Sequence, residues 1–112
     1  MAKYEQKLSG DFDNLILQVH EGIMQYAVSM NLVDQSDYQS GDIRIAVRVY
    51  DKYFMRNGNR TSLSLTIVGH GEDLFVSAIS AGGGQGILFN TSWGAEEDMV
   101  FMVQELVESK MQ

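Results

Sequence analysis

Residues 43–54, IRIAVRVYDKYF, place Ile43, Ile45, Val47 and Val49 at every second position, with Arg44, Ala46, Arg48, Tyr50 and Lys52 between them. A period of two cannot lie on one side of a helix, so this stretch is a strand with one apolar and one polar face. A strand this long needs partners on both sides, and its apolar row needs a cover. Arg56-Asn57-Gly58-Asn59 follows as a hairpin signal, and the next run alternates Leu63, Leu65 and Ile67 with Ser62, Ser64 and Thr66. Matching the two apolar rows selects a three-residue loop, Arg56–Gly58, with Gly58 left-handed. That register pairs Val49 with Leu65 and Val47 with Ile67 and turns the arginines to water, because a one-residue slip would exchange the faces.

The rest of the chain supplies two helices and further strands. KYEQKL alternates weakly, with Tyr4, Gln6 and Leu8 on one side. Ser9 or Asp11 then caps a helix whose stripe is Leu15, Ile16, Val19 and Ile23, at helical spacing. Val28, Met30 and Leu32 alternate again, and the polar DQSDYQSGD reads as a loop or ragged edge. After GHGED, LFVSAIS reads as a central strand and GILFNTS as a last one. Gly94 or Ser92 opens a final helix with stripe Met99, Val100, Val103, Leu106 and Val107, and Phe101 on its polar side. The expected fold is α+β, one domain over 1–112. It is a curved antiparallel sheet of five to six strands, ordered strand, helix, five-stranded meander, helix, with both helices on one face.

Composition narrows the function classes. Of 112 residues 45% are hydrophobic and 21% charged, the balance of a folded globular chain. No apolar run reaches the roughly 20 residues of a membrane helix. The opening MAKYEQKLSGDF has no signal-type apolar segment, and cysteine is absent, so thiolate metal sites and thiol nucleophiles are excluded and a cytoplasmic setting is expected. A formal charge of −7 opposes general affinity for nucleic acid.

At the level of sequence, SGDFDNLILQVHEGI, SGDIRIAVRVYDKY and GHGEDLFVSAISAGGGQGILF resemble a family of short bacterial proteins of unknown function, over nearly the whole chain. The element order also resembles a helix-grip or TATA-binding-protein-like fold, in which a C-terminal helix packs across a curved sheet. The first resemblance implies no activity and no site residue. The second implies room for a small apolar ligand between that helix and the sheet.

Three features bear on chemistry. SAISAGGGQGILFN, residues 77–90, lacks the Lys and following helix of a phosphate loop, and its glycines miss the dinucleotide spacing. Its GGQG matches the G-x-x-G of one RNA-binding domain but joins strands where that loop joins helices, so it reads as a turn. His70 with Glu72 and Asp73 sits in a hairpin tip, where three polar residues are expected anyway, and His20 has no second ligand at helical metal spacing. No catalytic residue, metal or cofactor is assigned. The third feature is the basic stripe. Arg44, Arg48, Lys52 and Arg56 recur every fourth residue, about 13 Å apart along a strand, with Tyr50 and Phe54 interleaved. Such a face suits an anion, although a solvated strand face normally looks similar.

The expected function is therefore a non-enzymatic binding module. Arg44, Arg48, Tyr50 and Lys52 would meet an anionic small molecule or partner protein, without nucleic acid or membrane. A helix-grip binder of a small apolar ligand, a self-assembling structural subunit and, last, a small metal-dependent enzyme are the alternatives. Homo-oligomerisation is expected from the general frequency of symmetric dimers.

Overall fold

The computed structural model describes residues 2–54, 58–82 and 94–111. Its elements run β1 (Ala2–Ser9), α1 (Phe12–Tyr26), β2 (Met30–Ser40), β3 (Ile43–Phe54), β4 (Asn59–His70), β5 (Asp73–Gly82) and α2 (Ala95–Glu108). The strands form one antiparallel sheet in the order β1-β5-β4-β3-β2. Strands β2 to β5 are a simple meander. The helix α1 carries the chain across, so that β1 pairs with β5 at the opposite edge. The expected last strand, GILFNTS, and the glycine stretch from Gly83 onward lie outside the described residues.

Both helices form where the periodicity places them. Asp11 caps α1, its carboxylate accepting the Asn14 amide at 2.9 Å and filling one orphan donor of the first turn. Phe12, Leu15, Val19 and Ile23 form the buried side of α1, with Ile16 at its margin. Gly94, at φ 91°, precedes α2, which buries Met99, Val100, Met102, Val103 and Val107. Gly22 lets the helices meet closely, since a Cβ there would stand 2.4 Å from a Leu106 methyl carbon. Among the described residues, no helix is long and apolar enough to cross a membrane.

The sheet register differs from the sequence expectation and changes what each face does. Val49 pairs with Ser64, Val47 with Thr66, Arg48 with Leu65 and Ala46 with Ile67. The last pair, Phe54–Asn59, leaves four residues between the strands, and Gly58, the last of them, is left-handed at φ 70°. The three-residue loop is thus one residue short. The row that joins Leu63, Leu65 and Ile67 under the helices is Ala46, Tyr50 and the two arginines, not the valines.

The physical reason is room. Phe12 rests on Gly69, where a Cβ would come within 2.6 Å of its ring, and Ala46, at 1% exposure, lies between the two arginine positions on the same face. Small residues there admit the helix, whereas a row of β-branched side chains would hold it off. Of the two readings of residues 34–40, loop or ragged edge, the edge is the one observed. This polar stretch is an edge strand along its whole length, paired with β3 after a bulge between Leu32 and Asp34. A bulge and acidic side chains are common guards of an exposed edge.

Candidate functional site

The register carries Arg44 and Arg48 onto the helix-covered side, where they border a cleft between α1 and strands β2 and β3, while Arg56 lies outside the described residues. The cleft holds about 320 Å³ and is lined by Asp13, Ile16, Leu17, His20, Gln35, Asp37, Arg44 and Arg48. Arg44 donates to both oxygens of Asp13 at 2.8 and 2.9 Å, a bidentate pair linking the first turn of α1 to β3. Its guanidinium also lies over the Phe12 ring, 4.4 Å from the centroid. These hydrogen bonds hold the Asp13 carboxyl below its ordinary value and raise that of Arg44 further.

Arg48 is the more enclosed of the two, with 12% of its side chain exposed. It donates to Asp37 at 3.0 Å and to the Val47 carbonyl at 3.0 Å. Both arginines thus run their stems over apolar surface and end at carboxylates of flanking elements. The cleft matches two cations with two anions, and its fixed donors are the planar forks of arginine.

Tyr50 and Lys52 do not join them as expected. Tyr50 is fully buried, so its ring is part of the core and not a surface for stacking. Its hydroxyl is 2.7 Å from His20 Nδ1, and the two rings are tilted with centroids 5.7 Å apart. Burial pushes the Tyr50 hydroxyl up to about 12, with the nearby Arg48 pulling slightly the other way. A neutral tyrosine donating to Nδ1 leaves Nε2 as the imidazole nitrogen still to be satisfied. Lys52 instead stands over the Phe54 ring, 3.8 Å from its centroid, and is not among the cleft residues.

His20, Asp13, Asp37 and Gln35 were therefore missed by the sequence reading. One signal did exist for His20: it lies four residues after Ile16 and three before Ile23, on the border of the apolar stripe. Nothing local pointed to Gln35 and Asp37, because their stretch reads as loop. The hairpin trio of His70, Glu72 and Asp73 does not form a cluster: among the described residues, no three His, Asp or Glu side chains converge on a common point. Phe101 projects from α2 at 57% exposure. Under α2, Met99, Val103 and Val107 are completely buried in the common core with Leu65, Val76 and Ala78.

A family model described as a family of unknown function (DUF6054) matches residues 1–111. No curated protein and no solved structure matches the chain.

Proposed function

The chain belongs to this family of unknown function, and we propose that it is a non-enzymatic binding module whose α1–β3 cleft takes a small anionic ligand. One observation carries the reading: two arginines from one strand open into the same cleft beside His20. Their Cα positions are about 13 Å apart, with the small Ala46 between them, which favours an elongated ligand with acidic groups at both ends over a single compact ion. Arg48, held by Asp37 and largely enclosed, is the fixed contact. Arg44, at 39% exposure, exchanges Asp13 for the ligand. Tyr50 keeps the His20 imidazole oriented from the core side and does not itself touch the ligand.

Native mass spectrometry of the freshly purified chain identifies a retained ligand by its mass. In parallel, arginine Nε–H signals are followed by NMR during titration with pyrophosphate and with a linear dicarboxylate. Saturable movement of the Arg44 and Arg48 signals is expected, and Arg48→Gln should weaken binding at least about tenfold, the worth of one charge-assisted hydrogen bond. If neither anion moves either signal and no adduct is retained, the cleft is not an anion site.

A further inference from the structure

The side of the sheet turned away from the helices carries an apolar centre of Ile45, Val47, Val49, Val68, Phe75 and Ile79 within a polar rim, and its residues form rows that complement themselves. Tyr38, Ile45, Val68, Phe75 and Lys7 stand side by side across the five strands. The next row is Ser36, Val47, Thr66, Ser77 and Glu5, and the third is Asp34, Val49, Ser64, Ile79 and Lys3. None of these is buried: Tyr38 is 63% and Ile79 38% exposed, and Ile45, Val47, Val49, Val68 and Phe75 are half-buried.

We propose that this helix-free face is the interface of a homodimer, two sheets packed face to face about a two-fold axis running along β4. Such an axis exchanges β3 with β5 and β2 with β1 while leaving each row at its own level. Ile45 then meets Phe75 of the second copy and Val49 meets Ile79. Val68 meets its own equivalent, and at the rim Lys3 meets Asp34 while Lys7 meets the Tyr38 ring. Across the three rows Lys3 and Lys7 offset Glu5 and Asp34, so the face is neutral on a chain of formal charge −7, and two copies approach without the repulsion the remaining surface would impose. β-branched side chains on a pleated surface suit aligned sheet-on-sheet packing better than they suit a helix. Five strands at about 4.8 Å and the five residues per strand that the three rows span at about 3.4 Å cover roughly 400 Å², about half of the ~800 Å² per partner of a standard interface. Edge pairing is the poorer route to a dimer: β1 alternates exposed Lys3, Glu5 and Lys7, and β2 carries the bulge.

Sedimentation equilibrium of the full chain over a concentration series tests this. Twice the 12.5 kDa chain mass is expected. Val47→Lys should weaken association about a hundredfold or more, since it buries a charge against apolar neighbours. Circular dichroism reports whether that variant folds. A charge swap covers the case in which it does not. Lys3→Asp and Asp34→Lys each place like charges opposite one another and should weaken the dimer about tenfold. An equimolar mixture restores both attractive contacts in the heterodimer and should recover wild-type affinity. A wild-type chain that stays monomeric up to its solubility limit overturns the proposal. So does a dimer that the folded Val47→Lys variant leaves intact, or a pair of charge variants that do not rescue each other.

Discussion

The two faces of this sheet both carry apolar side chains and meet different surroundings. Beneath the helices, Leu63, Leu65, Ile67, Val76 and Ala78 are buried to 1% exposure or less. On the other side Ile45, Val47, Val49, Val68 and Phe75 are half-covered, and Ile43 and Ile79 are exposed. Hydrophobicity alone does not choose between them. What separates them is shape: the helix face contains Ala46, Gly69 and Ala78, gaps into which helical side chains descend. The opposite face sets the β-branched Ile45, Val47, Val49, Thr66, Val68 and Ile79 beside Ser64, Phe75 and Ser77 on its three inner strands, with no glycine among them. The comparison teaches that a helix docks where its own side chains find room, even when two arginines must be carried along at the margin.

Truncation breaks the comparison most sharply. Leu65→Ala, in the helix-covered core, should lower stability by about 2–5 kcal/mol in chemical denaturation. Val47→Ala on the other face should cost under about 1.5 kcal/mol at low protein concentration, and, in the proposed dimer, more at high concentration. Equal losses for the two at low concentration would remove the distinction drawn between the faces.

Alkaline titration addresses the helix side next. Tyr50 and Tyr4 are both pushed up to about 12 from an ordinary 10.0, Tyr50 by burial and Tyr4 by burial together with Glu108. A folded-state value above the unfolded one means that the neutral hydroxyl favours the fold. For the buried Tyr50 this contribution is whole below pH 10 and is lost as pH rises toward 12, at most ~2.7 kcal/mol for a two-step shift. Thermal melts from pH 9 to 12 should show a decline that is shallower in Tyr50→Phe. An unchanged decline would mean that Tyr50 meets water.

A substitution at the contact of α1 with the sheet sharpens the argument from room. Gly69→Ala puts a Cβ at 2.6 Å from the Phe12 ring and should cost roughly 1–3 kcal/mol by overpacking. Pairing it with Phe12→Leu should return part of the loss. A neutral Gly69→Ala would show that α1 shifts freely and that the gaps do not direct its docking.

Much of the architecture was legible before any coordinates. The stripes of α1 and α2, the Asp11 cap, the alternation of β3 and β4 and the left-handed Gly58 all follow from spacing and local backbone chemistry. The polar strand 34–40 was not legible, because an edge strand buries so little that neither of its faces needs to be apolar. The candidate cleft was half legible. Arg44 and Arg48 stood out by their spacing, but their meeting with His20, Gln35 and Asp37 joins three elements distant in sequence. Lys52 was grouped with them by spacing alone and turns instead to Phe54.

Which face of β3 would turn inward is the point at which local reasoning ended. Its period of two states that there are two faces, and matching apolar rows chose the wrong one for the helices. Period, capping and turn chemistry act over a few residues, and so the sequence by itself determined the elements and their order. The register of β3 on β4, the burial of Tyr50 against His20 and the freedom of the Ile-Val face were decided by packing across the whole chain. The Phe12 ring that rests on Gly69 comes from a helix far away in sequence, and only a closed core weighs such contacts against one another.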